Sequence, residues 1–378
     1  MINKKRWNLL FVFFFMIMSI PMSAGDKPKI KIGGALRFNY NYSDWKPDMR
    51  NRGGDFGFDM FRLNAKGTYK QLIFNAEYRF YPSSSGGSML KTGWIGYRID
   101  DTQQLQLGLT TVPFGILPYT ANSYFFNIGY YLGLEDDADM GLKYMYKKGG
   151  WDFALAFFKN SDVLDFSNSG ETNPNRYAYD IAGRNKEINQ GNMQIAYHLG
   201  TSVKQEFGIS AMVGGLYNLD TEKTGTHSAF ALHYVLDYKH WNVKAQYTIN
   251  RINPKCATSD DDRIVAVAAY GSPYNIAAKS DIYTIALAYD IPVNKGVLDN
   301  IRLYNDFSWM HKRADGFSDS YQNITGCLLS AGPVYTYIDY AMGKNQAWLG
   351  KDWTNGFAAG GPSDQWNVRF NMNVGYYF

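Results

Sequence analysis

Three groups of residues are of types that do chemistry. The acid runs "EDDAD" (135–139) and "SDDDR" (259–263) offer clustered carboxylate oxygens, the ligands a hard cation such as Ca²⁺ prefers. Neither has the spacing of an EF-hand loop, so both are expected to be solvated loop segments and no specific metal site is expected. The five histidines, His198, His227, His233, His240 and His311, are scattered. None can be tied from sequence to a serine with a supporting Asn or Asp, the arrangement a hydrolase needs. Cys256 and Cys327 form no CxxC and no His/Cys metal spacing. Two cysteines are too few for a disulfide-stapled secreted fold, and their places at different heights of the expected wall make free thiols the expectation. An enzyme is not expected, and no cofactor is implied.

The elements that carry these residues must therefore be read from pattern. The chain opens on "MINKKRWNLLFVFFFMIMSIPMSAGD", with Lys4, Lys5 and Arg6 before an apolar run from Leu9 to Met22 and small residues at Ser23, Ala24 and Gly25. This has the layout of a secretory signal cleaved after Ala24 or Gly25. The run is short of the ~20 residues a spanning helix needs, which disfavours an uncleaved anchor. Residues 1–24 are assigned to the signal and 25–378 to one domain. Three of the 38 Lys and Arg residues lie in the signal and none of the 34 Asp and Glu residues, so the remainder carries +1. Basicity gives no sign of nucleic-acid binding. Aromatic residues make up 17% of the chain, with 30 Tyr against 24 Phe, while charged residues at 19% fall below the ~25% of soluble domains. Mean hydropathy is nonetheless negative, as for a surface that is half wet.

Period-2 alternation runs through the chain, the mark of a sheet with one apolar face. In "WNVRFNMNVGYYF" (366–378), Trp366, Val368, Phe370, Met372, Val374, Tyr376 and Phe378 alternate with Asn367, Arg369, Asn371 and Asn373. "QLIFNAEYRFY" (71–81), "QLQLGL" (104–109) and "WNVKAQYTIN" (241–250) repeat the pattern, and "YTIALAY" and "IRLYNDFSW" follow it less cleanly. "RIVAVAAY" (263–270) is either a further strand or structure inside a loop. Beyond residue 24 no apolar run reaches 18 residues, so the way to span a bilayer is a closed barrel, in which every backbone polar group finds a partner. Short connections near 70–71, 148–150, 200–202 and 331–333 alternate with long ones such as 43–54, 111–138, 160–188 and 253–279. The expected fold is all-β: a transmembrane antiparallel β-barrel of about 16 strands, with short periplasmic turns, long extracellular loops and one loop folded into the lumen. A secreted β-sandwich also alternates, but a chain of this length would split into domains, and no linker is found.

If the apolar alternates face lipid, the polar ones face inward and enclose water. Parity places Arg37, Arg62, Lys66, Arg79, Arg98, Lys143, Lys147, Lys244, Arg302 and Arg369 inside, with Glu77, Asp152, Glu206, Asp237, Asp290, Asp306 and Asp339. The cations outnumber the acids, which favours anions in the lumen. The segment "TTVPFGILPYTANSYFFNIGYYLGLEDDAD" (110–139) is long, aromatic and free of charge until Glu135. It is expected to fold inward against the wall.

Several motifs together resemble the phosphate-selective porin family (porins O and P): "LQLGLTTVPFG" (105–115) followed by an aromatic loop, "LYNDFS" (303–308), "AGPVYTYIDYAMGKN" (331–345) and the terminal "RFNMNVGYYF". The likeness covers most of the chain after the signal and is greatest to the general porins of the family. It implies a sixteen-stranded barrel in the outer membrane of a Gram-negative bacterium, usually a homotrimer, with residues 111–138 as constriction loop. It also implies that Phe378 is the signal read by the outer-membrane assembly machinery. Members selective for phosphate carry an arginine ladder and a lysine cluster at the constriction; residues 110–134 contain neither Lys nor Arg. A general diffusion pore with weak anion preference is the expectation, passing small hydrophilic solutes such as sugars or organic acids past Pro113, Phe114, Gly115, Tyr119, Tyr124, Phe125 and Phe126. Outer-membrane lipid and lipopolysaccharide, with divalent ions bridging the latter to the acid runs, complete the expected partners. The alternative is a barrel adhesin or structural protein whose lumen is blocked.

Overall fold

A computed structural model describes residues 27–162, 174–361 and 365–378; the expected signal at 1–24 lies outside them. The strands in chain order are β1 (Lys29–Ser43), β2 (Asp55–Tyr69), β3 (Leu72–Phe80), β4 (Ser88–Arg98), β5 (Gln103–Thr111), β6 (Ala138–Lys148) and β7 (Trp151–Asn160). Next come β8 (Asp180–Ile181), β9 (Asn185–Leu199), β10 (Val203–Asn218), β11 (Thr224–Tyr238), β12 (Trp241–Asn253), β13 (Ile264–Ala269) and β14 (Ser272–Ala277). The last are β15 (Lys279–Lys295), β16 (Leu298–Lys312), β17 (Ser320–Ala331), β18 (Val334–Lys344) and β19 (Asn367–Tyr377). Sixteen of them close an antiparallel barrel, and β8, β13 and β14 form a separate small sheet. The segment 263–270 is thus structure inside a loop.

Closure runs through β1 and β19, paired from Ala35↔Tyr377 to Ser43↔Arg369. Past the last paired strand residue, Gly34 N–H donates to the Phe378 carbonyl at 2.8 Å and Phe378 N–H to the Gly34 carbonyl at 3.1 Å. A side chain at Gly34 would meet the Phe378 ring at 2.5 Å, so the residue must be glycine for the seam to end this way. On one rim, turns of two to four residues join β2–β3, β4–β5, β6–β7, β9–β10, β11–β12, β15–β16 and β17–β18. Gly149 and Gly150, both at positive φ, make the β6–β7 turn, which matches the twist of a two-residue hairpin. The long connections lie on the other rim.

The outer wall is apolar. Leu107, Val213 and Ile285 are 64%, 60% and 55% exposed, and similar residues ring the barrel, far beyond what water tolerates on a monomer. Aromatic girdles bound this belt. On the long-loop side Tyr247, Tyr283, Trp309 and Tyr321 stack across neighbouring strands at 4.9 to 6.3 Å, and Trp366 packs tilted against Tyr321 at 6.1 Å. On the turn side Trp151 packs on Tyr197 and Trp241 on Tyr289. Belt, girdles and a wall whose backbone groups pair within the sheet are what a hydrocarbon slab requires; the molecule is an outer-membrane β-barrel. No helix of the described residues is long and apolar enough to cross a membrane.

Leu107→Arg, in the middle of β5, should destabilise the barrel by about 2–4 kcal/mol, and Val203→Arg, at the turn-side end of β10, by about 0–1 kcal/mol. Urea unfolding in lipid vesicles measures both.

Candidate functional site

The segment 112–137 folds into the lumen and crosses it. Near its start, Gly115 N–H donates to Ser210 Oγ at 3.0 Å, Ile116 N–H to Gln246 Oε1 at 2.8 Å, and Gln194 Nε2 donates to the Gly115 carbonyl at 2.6 Å. Gly115 has φ +64°, and a Cβ there would lie 2.6 Å from Gln246 Oε1. Further on, the Asn122 and Ser123 N–H groups both donate to Asp306 Oδ2, at 2.8 and 2.7 Å, and Ile128 N–H donates to Ser308 Oγ. Across the lumen the Tyr124 hydroxyl reaches β1 and β2, accepting from Asn39 Nδ2 at 2.9 Å and donating to Asp59 at 3.2 Å. A single helical turn at Ile128–Tyr131 is capped by Asn127, whose Oδ1 accepts from Gly129 N–H. Loop backbone groups that a strand ladder would have satisfied are thus met by wall side chains, as burial requires.

The acid run 135–139 is buried, not solvated as expected. Glu135 is 4% exposed and accepts from Thr120 N–H and Oγ, Asn127 Nδ2 and Gln246 Nε2. Burial lifts its carboxyl above the ordinary range, and the Thr120 donors pull it back. Asp136 takes Lys91 Nζ at 2.7 Å and the Tyr177 hydroxyl at 2.8 Å. The 259–263 run does stay at the surface, where Arg263 pairs with Asp261.

Between this loop and the wall of β1–β3 and β19 lies a cavity of about 890 Å³. Three of the ten sequence-selected cations line it, each laid over a ring. Arg37 pairs with Asp59 at 2.8 Å and lies 5.6 Å from the Tyr124 ring. Arg79 pairs with Glu77 at 2.6 Å and lies 4.2 Å from the Tyr177 ring. Arg369 lies 5.0 Å from the Phe125 ring and donates through Nε and Nη2 to Asn41 Oδ1. Among the described residues no carboxylate lies within 4.0 Å of Arg369. Of the loop aromatics selected from sequence, Tyr124, Phe125 and Phe126 face this cavity, and Tyr130 and Tyr131 line it as well. Phe114 is packed into the core and Tyr119 stacks edge-on against Phe126. Pro113 is buried.

The other cations do not join them. Arg62 approaches Glu77 at 3.8 Å, Arg302 pairs with Asp290 at 3.0 Å, and Lys147 pairs with Asp152. Lys143 is buried and donates to the Thr111 carbonyl at 2.7 Å. Lys244 is half-buried, with Asp306 and Glu135 in its field. Lys66 and Arg98 are exposed. Sequence parity missed Asp59 and Lys91. Both sit where the register shifts, at the β1–β2 and β3–β4 bulges, and a bulge turns a side chain to the other face. Four of the five histidines meet acids or amides, His227 with Glu187 and Asn250, His233 and His198 with Glu206, and His311 with Asp319, while the His240 ring packs on Tyr289. Cys256 and Cys327 are free thiols.

The lumen is also less wet than alternation implies. The hairpin β13–β14, β8 and the segment around Phe357 pack with the 112–137 loop into an apolar cluster that includes Ile128, Tyr131, Val267, Tyr274, Ile276 and Phe357. The wall meets it with inward apolar residues, Phe158, Leu216, Ile252, Ile282 and Met310. The Tyr274 hydroxyl donates to the Tyr131 carbonyl inside it.

No protein-family model matches the chain, and no curated protein matches it. Solved outer-membrane proteins share its fold. The anion-selective porin from Comamonas acidovorans superposes with a TM-score of 0.58 at 13% identity, over 93% of this chain and 100% of that one. Salmonella typhi OmpF in complex with daunomycin gives 0.62 at 13% identity, over 93% and 98%. OmpT of Vibrio cholerae in its trimer form gives 0.60 at 14% identity, over 93% and 100%. At these identities what is shared is the sixteen-stranded porin fold.

Asp306→Ala would leave the Asn122 and Ser123 N–H groups without their acceptor. The expected cost is about 2 kcal/mol or more, read as a lower melting temperature of the folded barrel. Limited proteolysis should cut within 112–137 faster than in the parent.

Proposed function

We propose that this protein is a passive porin of a Gram-negative outer membrane, admitting small hydrophilic solutes with a weak preference for anions. The observation that carries the reading is Arg369: a guanidinium beside the cavity, held by Asn41, over the Phe125 ring, with no carboxylate of the described residues within 4.0 Å. Arg37 and Arg79 add positive edges whose charges are answered by Asp59 and Glu77, which keeps the preference weak. Residues 111–138 set the size limit by crossing the lumen. The aromatic wall suits sugars and organic acids that offer flat faces. Phosphate selectivity is not part of this reading, since the loop stretch 110–134 contributes no cation.

The homotrimer implied by the family resemblance has support in an outward polar cluster. Asn305 donates to Asn323 at 2.7 Å and to Thr325 at 2.8 Å, on a row where lipid would prefer apolar groups. The reading of Phe378 as an assembly signal is supported by its backbone bonds to Gly34 and its ring, 58% exposed. A second reading, a barrel whose loops bind a partner and whose lumen is shut, draws on the apolar cluster inside the wall.

Planar-bilayer recording separates the two. Stepwise ohmic openings are expected of the pore, and silence would favour the shut barrel. Under a KCl gradient the reversal potential should favour Cl⁻, and Arg369→Gln should move it toward the K⁺ side; a parent that already favours K⁺ would defeat the anion reading.

A further inference from the structure

Two sequence-distant acid groups meet at a place the pore does not use. Asp137 ends the lumen loop, Asp139 lies in β6, and Asp180 begins β8. They are 8%, 2% and 4% exposed. One carboxylate oxygen of each lies within 4.8 Å of the other two. Local donors meet some of these oxygens: Ala138 N–H and Ile181 N–H donate to Asp137 Oδ1 and Asp180 Oδ1, and Gln190 Nε2 to Asp139 Oδ2 at 3.3 Å. Asp139 Oδ1 is buried and receives no hydrogen bond. A carboxylate oxygen stripped of water and left without a donor is costly, and a bound cation is one way to satisfy it.

Charge points the same way. Arg176 Nη1 donates to Asp180 Oδ2 at 2.5 Å and stands 3.5 Å from Asp162. Its one guanidinium is shared between Asp180 and Asp162, and it makes no contact within 4.0 Å of Asp137 or Asp139. His227 Nδ1 lies 3.2 Å from Glu187 Oε1 and does not reach the trio. Among the described residues, Asp180 has Arg176 as a cationic partner, and no cation stands within 4.0 Å of Asp137 or Asp139.

We propose that Asp137, Asp139 and Asp180 bind one Ca²⁺, which ties the end of the lumen loop to the small inner sheet. All three ligands are oxygens. Ca–O distances of about 2.3–2.6 Å let two ligands of one ion stand about 5 Å apart. Mg²⁺ needs shorter bonds and holds its waters, which a pocket this dry does not favour.

The test uses the full-length barrel, refolded in detergent without lipopolysaccharide and stripped with EDTA. It is titrated with CaCl₂ by calorimetry, and with Tb³⁺ by luminescence sensitised by Tyr179, the neighbour of Asp180. One ion per chain is expected, with a melting temperature that rises with Ca²⁺ and far less with Mg²⁺. Asp139→Asn should weaken binding about tenfold or more, while Asp261→Asn, in the exposed run, should not change it. Gel mobility before and after heating confirms that each variant is folded; if Asp139→Asn does not fold, Asp137→Asn takes its place. Absence of saturable binding to the folded parent overturns the proposal, as does undiminished binding by a folded ligand variant.

Discussion

The structure depends on one constraint: in hydrocarbon, a backbone N–H or C=O has only the protein itself to bond with. Sixteen strands meet it by closing on themselves, so that β1 and β19 leave no edge. Once closed, the wall has an outside that must be apolar and an inside large enough to need filling. The polar alternates, the inward loop and the aromatic cluster are answers to that second requirement.

The interior is filled asymmetrically. Along β7, β10–β12, β15 and β16 the wall offers Phe158, Leu216, Ile252 and Met310 to an apolar loop cluster, with Ser210, Gln246, Asp306 and Ser308 placed among them to receive loop N–H groups. Along β1–β3 and β19 the wall is cationic and the loop turns its rings toward it. The remaining space lies there, with delocalised guanidinium charge on one side and ring faces on the other. Such contacts are worth about 0.5–2 kcal/mol each, more as water is removed; they hold all three arginines in place, while Asp59 and Glu77 answer the charges of Arg37 and Arg79.

Much of this was legible in the sequence, and what was not has physical causes. Strands such as 71–81 and 241–250 alternate cleanly because one face meets lipid and the other carries polar groups that bond within the lumen, as Gln246 does to the inward loop. β15 and β16 blur near their loop ends because Ile282 and Met310 point inward against packed loops, so both faces are apolar there. Asp59 and Lys91 were invisible because bulges reverse the parity that the argument rests on. The acid run 135–139 read as solvent-exposed because its partners, Lys91, Tyr177 and Gln246, are remote in sequence. No local pattern reports that Asp180 lies beside Asp139.

The seam between β1 and β19 governs how such a wall can be built. Its two halves are the first and last strands to emerge from the ribosome, so no cylinder exists while synthesis is under way. Until then both rows of backbone groups are bare, and bare strand edges recruit other chains. The wall can therefore close only once the whole barrel sequence has been made, and the final pairing from Gly34 to Phe378 removes the last bare edges.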